Sequence, residues 1–253
     1  MGTEPTVLIT GAAKRIGRAI ALDLARAGWR VGVHYNSSDD DAARTVDEIE
    51  SAGGGAVALK ADLSNLEAMH ALVPGCCEKL GAPTCLINNA SLFEHDHIST
   101  MTEDSFHFHM RVNLRAPVFL AQAFAKSLPA GAEGVVINML DQRVWKPTPD
   151  YFSYSLSKSA LWAATQTLAQ GLAPRIRVNA IGPGPTLANM RQSDDAFARQ
   201  QASTILERGP DPEEICTAVR FILDARSMTG QMIALDGGQH LAWQTPDTIE
   251  SDE

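Results

Sequence analysis

Seven short runs of apolar and β-branched residues recur along the chain, separated by stretches with the residue spacing of helices. The apolar runs lie at residues 6–10, 30–35, 56–60, 85–89, 134–139, 176–181 and 231–235. Runs of this length and composition are typical of strands that are buried on both faces of a sheet. The helical stretches lie at residues 15–27, 39–51, 65–80, 105–128, 152–172 and 212–223. This alternation predicts an α/β fold in which helices flank a seven-stranded, doubly wound parallel sheet.

The chain is expected to form one domain. Its 253 residues can bury a sizeable core without disulfides or a structural metal. There is no linker rich in Pro, Gly or Ser and no internal repeat beyond the alternation itself, so residues 1–253 are interpreted as a single domain. The irregular stretch 182–203 opens with "GPGPT", which is not expected to be regular structure. Its polar continuation suits a flap over a site, near residues 185–203.

Charge and composition narrow the classes of function. A net charge of -9 and a pI near 5.2 argue against binding to nucleic acid, which needs clustered Lys and Arg. The start of the chain does not resemble a signal peptide, and the longest uncharged run, 159–174, is too polar to span a bilayer. A soluble, cytoplasmic protein that acts on a small molecule is therefore expected.

Neither the cysteines nor the histidines have the spacing of a metal site. The cysteines show no C-x-x-C spacing and are expected to be reduced thiols: Cys76, Cys77, Cys85 and Cys216. His95 and His97 are two residues apart, as are His107 and His109. On a helix this spacing places the two side chains on opposite faces, so no metal is predicted.

The segment "TGAAKRIG", residues 10–17, follows the first apolar run and contains Gly11 and Gly17. A glycine-bearing turn at the start of a helix offers free N–H groups and the positive end of the helix dipole to a diphosphate. The spacing differs from G-x-G-x-x-G, so by itself it is a weak signal. A tight turn that binds no ligand is the alternative.

Tyr154 and Lys158 are four residues apart in a predicted helix, so their side chains point the same way. A neighbouring ammonium lowers the pKa of a tyrosine toward the range in which it exchanges protons. The alternative is a Tyr and a Lys on an exposed helix face. Tyr151, which has Ser155 in the corresponding position, is the poorer candidate for catalysis.

These motifs, with "DLS" at 62–64, "NNAS" at 88–91, Asn113 and "GPGPT" at 182–186, resemble the short-chain dehydrogenase/reductase family in order and spacing over nearly the whole chain. The resemblance implies a Rossmann-type domain that binds NAD(P) at the carboxyl edge of the sheet. It also implies four groups of cofactor ligands: Gly11, Arg15, Ile16 and Gly17 at the diphosphate; Asp62 and Leu63 at the adenine; Asn89 and Ala90, followed by Ser91, on the adenosine side; and Pro183, Gly184 and Thr186 at the nicotinamide amide.

Asp141 departs from the usual pattern of the family. Most members have a serine thirteen residues before the tyrosine, where its hydroxyl steadies a carbonyl oxygen that gains negative charge. An ionised carboxylate would repel that oxygen. It suits a substrate with N–H donors or a ring nitrogen that is protonated, because a carboxyl group can both accept and donate a proton. The alternative is a protein that has lost its serine and its activity.

Three further features resemble the pteridine reductase subgroup: Arg15, the segment "NNASLF" with Ser91 and Phe93, and the set Asp141, Tyr154 and Lys158. A flat heteroaromatic ring would fit between the nicotinamide and Phe93. Trp145, in the loop after Asp141, and Leu187, in the flap, are interpreted as walls of the substrate pocket.

NADPH is the expected cofactor, with NADH less expected. Members of this subgroup have a basic residue after the second strand for the 2′-phosphate, and Ser37 occupies that position here. No acid stands at the strand end, where NAD-specific enzymes bind the ribose 2′-hydroxyl. The expected ligands of this part of the cofactor are Asn36, Ser37, Ser38 and Lys14 or Arg15. The acidic run 39–41 is expected to cap the following helix.

The resemblance predicts an NADPH-dependent reductase of a pterin-like or other C=N substrate. Tyr154 would relay a proton, Lys158 would hold the ribose, Asp141 would orient and help to protonate a substrate nitrogen, and Asn113 would support a helix break and a proton-relay water. One alternative is a ketone reductase resembling the 3-oxoacyl carrier-protein reductases. Another is a nucleotide-binding protein without turnover. The family pairs the helices at 105–128 and 152–172 between subunits, so a homotetramer is expected.

Overall fold

A seven-stranded parallel sheet forms the centre of the computed structural model, which describes residues 4–188 and 192–243. The strands are β1 (Thr6–Ile9), β2 (Arg30–Tyr35), β3 (Ala56–Lys60), β4 (Cys85–Asn88), β5 (Gly134–Met139), β6 (Ile176–Pro183) and β7 (Met232–Leu235). Their order across the sheet is β3-β2-β1-β4-β5-β6-β7, and every neighbouring pair is parallel. The predicted fold class is confirmed.

Eight α-helices connect and flank these strands within the described residues. They are α1 (Arg15–Arg26), α2 (Asp39–Ser51), α3 (Leu66–Leu80), α4 (Glu103–Met110), α5 (Ala116–Ser127), α6 (Phe152–Leu172), α7 (Asp194–Ala202) and α8 (Pro212–Asp224). The bounds of α1, α2, α3, α6 and α8 differ by at most one residue from those predicted.

The two faces of the sheet carry separate hydrophobic cores. Val7 and Ile9 of β1 point into the core that α1 and α8 cover, whereas Leu8 between them points into the core beneath α3 and α5. Successive residues of a strand face opposite sides, so a strand buried on both faces needs an unbroken apolar run. This explains the pattern of "TVLIT" and its counterparts.

The strand order fixes where a ligand can bind. The chain runs outward from β1 through β2 to β3, and then returns to the other side of β1 to form β4. The loops after β1 and β4 therefore leave the sheet in opposite directions and open a crevice at their carboxyl ends. Parallel sheets of this kind bind ligands at such a switch point.

The helix predicted at 105–128 is interrupted at Asn113, where the resemblance implied a helix break. It begins at Glu103, and a π-helical turn at Arg111–Arg115 separates α4 from α5. The turn is centred on Asn113, whose buried side chain bonds to two neighbouring segments instead of lying on a regular helix face. Single π-turns of this kind occur often at functional sites.

The stretch 182–203 is more regular than predicted. Gly182 and Pro183 belong to β6, because they pair with Ala234 and Leu235 of β7. Ser193 caps α7 by accepting a hydrogen bond from the backbone of Ala196. The tip of the predicted flap, 189–191, lies outside the described residues.

All four cysteines are free thiols, and Cys76, Cys85 and Cys216 are buried. Burial raises the pKa of the Cys76 and Cys216 thiols to about 12. Within the described parts of the chain, none of the helices is both long enough and apolar enough to cross a membrane.

Candidate active site

Loops after four strands contact one another or α6 at the carboxyl edge of the sheet. Arg15, after β1, contacts Leu187, after β6. Phe93, after β4, and Asp141, after β5, both contact Tyr154 of α6. The residues predicted from separate motifs are therefore brought together at one crevice.

Asp141 accepts hydrogen bonds from two residues. The Tyr154 hydroxyl donates to Asp141 Oδ2 at 2.8 Å, and the Arg143 backbone N–H donates to Oδ1 at 2.8 Å. The Arg143 guanidinium also donates to Oδ2, at 3.2 Å. Three accepted bonds suit the carboxylate form, which only accepts hydrogen bonds. Sequence reasoning did not identify Arg143, which lies only two residues after Asp141.

Tyr154 and Lys158 are buried side by side, with exposed fractions of 5% and 2%, which excludes an exposed helix face. Burial, and then the charge and hydrogen bond of Asp141, raise the pKa of Tyr154 well above its usual value, against a smaller lowering by Arg143. The predicted lowering of this pKa is therefore wrong, because desolvation and an adjacent anion both raise it.

Lys158 donates a hydrogen bond to the backbone carbonyl of Met139 at 2.7 Å. Its Nζ lies 5.7 Å from the centre of the Tyr154 ring. Burial lowers the pKa of Lys158 to about 8, and the charge of Asp141 opposes that shift. The ammonium is thus held at the sheet edge by β5.

Asn113 joins the loop after β4 to α6. Its Nδ2 donates to the Leu92 carbonyl at 2.9 Å and to Ser157 Oγ at 3.0 Å, and its Oδ1 accepts from the Leu92 N–H at 2.8 Å. Ser91 Oγ donates to the same Oδ1 at 3.3 Å. Asn113 therefore connects the segment that leads to Phe93 with Ser157 of α6, which lies about one helical turn after Tyr154.

Phe93 is stacked on Tyr151, with ring centroids 4.2 Å apart and planes at 7°. It meets the Tyr154 ring edge-on at 4.6 Å, and the Arg143 guanidinium carbon lies 5.4 Å from its centre. Tyr151 adopts a left-handed backbone conformation, with φ of 57°, directly before α6. A substrate ring on Phe93 must use the face opposite Tyr151 or displace it. Sequence reasoning passed over Tyr151 because it considered that residue only as a catalyst.

The glycine turn after β1 is held by neutral side chains. The Gly11 N–H donates to His34 Nδ1 at 3.0 Å, so the proton of this imidazole is on Nε2, which donates to the Ala61 carbonyl at 3.0 Å. Burial lowers the pKa of His34 to about 4. Asn89 Nδ2 donates to the carbonyls of Thr10 and Gly11, at 2.8 and 3.1 Å. His34 was not predicted to support this turn.

Both glycines of the turn are required by space. Gly11 has a φ of 64°, and a Cβ there would lie 3.0 Å from Ala90 Cα. A Cβ on Gly17 would collide with the Gly11 carbonyl and lie 2.5 Å from Asn89 Nδ2. Ile16 packs against the core, so the turn presents its backbone to the crevice.

The other residues predicted as ligands of the adenine and the nicotinamide lie at or after the ends of β3 and β6. Asp62 accepts from the backbone and hydroxyl of Ser64, at 2.8 and 2.9 Å, and Leu63 is buried. Gly184 donates to the Leu235 carbonyl at 2.8 Å. Thr186, which follows in the flap, is buried and donates to the Gly184 carbonyl at 3.2 Å.

Arg15 links the glycine turn to the flap. It has a left-handed backbone, with φ of 56°, and its guanidinium donates to the carbonyls of Leu187 and Ala188, at 3.0 and 2.6 Å. The side chain predicted to contact diphosphate and substrate therefore holds the base of the flap.

The residues predicted around the 2′-phosphate lie at the start of α2. Asn36 and Ser37 are exposed, and Ser38 directly precedes the helix without a side-chain capping bond. The acidic run 39–41 occupies the first turn and not the N-cap, so its capping role was predicted incorrectly. Asp39 pairs with Lys60, and Asp41 pairs with Lys14 and Arg44.

Trp145 packs on the C-terminal segment. Its ring meets that of His240 at 5.0 Å, and the neighbouring Lys146 donates to the Ala242 carbonyl at 2.8 Å. His240 is bound to the buried carboxylate of Asp236 at 2.7 Å. The C-terminal segment therefore supports the loop that carries Asp141, which the sequence did not indicate.

The paired histidines have separate surroundings. His95 packs edge-on against Tyr151, whereas His109 is fully buried and bonded to the backbone of Ser105. Residues 4–188 and 192–243 contain no group of three or more His, Cys, Asp or Glu side chains that could hold a metal ion.

Known proteins are similar to this chain over nearly its whole length. A family model described as Enoyl-(Acyl carrier protein) reductase matches residues 11–240. An uncharacterised oxidoreductase of Methylorubrum extorquens is 35% identical over 91% of this chain and 96% of its own length. A 3-oxoacyl-[acyl-carrier-protein] reductase of Synechocystis is 30% identical over 93% of this chain and 97% of its own.

Solved structures are also similar. The FolM alternative dihydrofolate reductase 1 from Brucella suis, in complex with NADP, superposes with a TM-score of 0.94 at 48% identity, covering 98% of this chain and 99% of that one. The angucycline C-6 ketoreductase LanV, with bound NADP, gives a TM-score of 0.86 at 32% identity, covering 94% and 96%.

Proposed function

The chain belongs to the short-chain dehydrogenase/reductase family and is an NADP-dependent oxidoreductase, and on that premise we propose that it reduces a pterin-like substrate. The substrate is a dihydropterin, a dihydrofolate or another molecule with a reducible C=N bond. NADPH, when bound, supplies the hydride from its nicotinamide ring. The hydride adds to the carbon of the C=N bond, so the protein must provide a proton for the nitrogen.

The crevice has the features that such a cofactor needs. Gly11 and Gly17 leave no room for a side chain, so the turn packs tightly at the start of α1, where free backbone N–H groups can bind a diphosphate. Lys158 has three N–H donors, and its bond to Met139 uses one of them. The others are suited to the hydroxyl groups of a ribose.

The observation that carries the proposal is the hydrogen bond from Tyr154 to Asp141, at 2.8 Å. An ionised carboxylate at this position accepts N–H bonds and disfavours an oxygen that gains negative charge. The amino and ring N–H groups of a pterin suit it, whereas the carbonyl of a ketone does not. The 48% identity to a protein named alternative dihydrofolate reductase supports the same class of substrate.

The catalytic roles follow from the same contacts. Asp141 orients the substrate through its N–H groups, and Tyr154 Oη passes a proton to the reacting nitrogen, with the adjacent carboxylate as partner. Lys158 stabilises the phenolate that remains, because a buried ammonium offsets a buried anion. Asn113 positions Phe93 and α6 through its bonds to Leu92 and Ser157.

Replacing Asp141 tests the proposal. With 7,8-dihydrobiopterin or dihydrofolate, we expect Asp141→Ser to consume NADPH about 100-fold more slowly than wild type, the usual scale for losing a positioned group that takes part in proton transfer. The affinity for NADPH should change little. Asp150→Ser, which removes an exposed carboxylate of the same loop, is the matched control.

Activity with an acetoacetyl thioester, which has a ketone, tests the alternative function. The 3-oxoacyl reductases among the relatives make a ketone reductase the second candidate, although Asp141 replaces the serine expected for it. Wild type that prefers the thioester would overturn the pterin proposal. Wild type that binds NADPH but turns over none of the three compounds would favour a binding protein or another imine substrate.

The proposal also includes the assembly and the setting of the enzyme. We propose one NAD(P)-binding domain, with a flap near 185–203, in a cytoplasmic homotetramer. Large apolar side chains on α4, α5 and α6 are partly exposed, namely Phe108, Phe119 and Leu156 at 41%, 37% and 40%. Contact between subunits would cover them. A monomeric mass by light scattering at micromolar concentration would contradict the tetramer.

A further inference from the structure

Lys14 is already paired in the structure. Its Nζ lies 2.5 Å from Asp41 Oδ2, and the other oxygen of Asp41 accepts from the Arg44 guanidinium. The three side chains form an ion-pair network between the glycine turn and α2. In this network the Asp41 carboxylate pairs with both cations.

This ion-pair network is held in place by the packing of α2 on the turn. The Thr45 hydroxyl donates to the Ala13 carbonyl at 3.2 Å and to the Asp41 carbonyl at 2.9 Å. Thr45 is fully buried, so the first turns of α2 are fixed against the residue before Lys14. The backbone of Asp41 is therefore held close to that of Lys14 by the fold.

A surface cleft of about 480 Å³ opens at this point. Its charged lining residues are Lys14, Arg15, Arg18, Arg44, Asp41, Asp47 and Glu48. Ser37 and Ser38, at the end of β2, precede the same helix. The sequence predicts that this corner receives the 2′-phosphate of NADPH, with Lys14 or Arg15 among its ligands.

We propose that Asp41 is a specificity-determining residue, which competes with the 2′-phosphate of the cofactor for Lys14. The inference rests on the proposed function, because it requires an NADP-type nucleotide at the glycine turn. A phosphate that binds Lys14 must draw the ammonium away from Asp41 and then lies close to that carboxylate. Asp41 therefore weakens the preference for a 2′-phosphate over a 2′-hydroxyl.

Arg44 limits this effect. When Lys14 turns to the phosphate, Arg44 stays on Asp41 and keeps the carboxylate paired. The Lys14 and Asp41 side chains are 51% and 24% exposed, so water and salt also screen their attraction. The expected change in affinity on removing Asp41 is consequently a few-fold and not several orders of magnitude.

Calorimetric titration with 2′,5′-ADP and with 5′-AMP tests the proposal on the full-length protein. We expect Asp41→Asn to bind 2′,5′-ADP about two- to fivefold more tightly than wild type at low salt, the range for an exposed charge pair. Its affinity for 5′-AMP should be unchanged, since that nucleotide has no 2′-phosphate. The gain should diminish in 0.5 M salt, for which the Debye length is about 4 Å.

Two variants separate competition for Lys14 from a general effect of charge. Asp40→Asn removes the same charge one residue earlier, and within the described residues Lys14 pairs with Asp41 and not with Asp40. It should bind 2′,5′-ADP as wild type does. In a Lys14→Met background, Asp41→Asn should give no more than a minor gain, because the contested ammonium is absent.

The outcomes are distinguishable. Equal gains for Asp41→Asn and Asp40→Asn, or equal gains for both nucleotides, would overturn the role of Asp41 and leave the proposed function intact. A full gain in the Lys14→Met background would do the same. A wild type that binds neither nucleotide would overturn both proposals.

Discussion

The two halves of the crevice are built from different kinds of contact. At the glycine turn, uncharged groups hold the backbone: His34 accepts from Gly11, and Asn89 donates to the carbonyls of the turn. At the loop after β5, the contacts join charged and aromatic side chains, with Asp141 between Tyr154 and Arg143. The half predicted to bind the cofactor therefore depends on the small size of its glycines and on uncharged side chains. The catalytic half depends on the positions of its charged groups and of the protons that they share.

The largest expected effect is a loss of stability at acidic pH, because His34 must be uncharged to accept the hydrogen bond of the glycine turn. Burial lowers its pKa to about 4, from an ordinary value of 6.5. Between those values the unfolded chain binds a proton that the folded protein does not, so stability is lost as the pH falls from 6.5 to 4. The loss attributable to His34 is about 3 kcal/mol when complete.

Urea unfolding at several pH values measures this loss. His34→Gln keeps a donor and an acceptor but does not titrate, so its free energy of unfolding should depend less on pH between 6.5 and 4. It should also be less stable than wild type at pH 7, since an amide does not reproduce both imidazole bonds. Parallel curves for the two proteins would show that His34 is not the acid-sensitive group.

The size requirement of the cofactor half is tested by Gly17→Ala. The added Cβ would collide with the Gly11 carbonyl and press on the Asn89 amide, so the turn must shift. We expect unfolding to become easier by about 1–3 kcal/mol, the usual cost of overpacking, and nucleotide binding to be lost.

Gly75→Ala is the matched control, since Gly75 also lies within a helix, α3. A Cβ there meets Leu59 Cδ2 at 4.0 Å, which is ordinary contact. Alanine favours a helix more than glycine does, so this variant should be as stable as wild type or slightly more stable. Equal losses in both variants would mean that the turn does not require a glycine.

The same contrast explains what the sequence predicted and what it did not. The turn and the Tyr-x-x-x-Lys pair are local patterns, in which spacing along one helix or one loop fixes the geometry, so Gly11, Gly17, Tyr154 and Lys158 were found. The fold followed from the alternation of strands and helices for the same reason. These features need no information about distant parts of the chain.

The missed features depend on contacts between distant segments. Tyr151 stacks on Phe93, which comes from the loop after β4, and His34 of β2 accepts a hydrogen bond from Gly11 of the turn after β1. The direction of the Tyr154 pKa was wrong because burial and the neighbouring anion depend on the whole packed site. No spacing rule within one segment contains this information.

Lys158 sharpens the comparison, because its charge is expected to have opposite effects on activity and on stability. Burial lowers its pKa to about 8, so the ammonium is lost as the pH rises through that value. If the ammonium holds the ribose, kcat/KM for NADPH should fall above pH 8 by about tenfold per unit, since this parameter follows the free enzyme. The unfolded chain binds the proton up to the ordinary value of 10.5, so between pH 8 and 10.5 the contribution of Lys158 to stability rises as the activity declines.

Lys158→Met should have a low kcat/KM without this alkaline fall, and its free energy of unfolding should lack the rise. An alkaline fall near pH 8 that persists in Lys158→Met would assign the titration to another group.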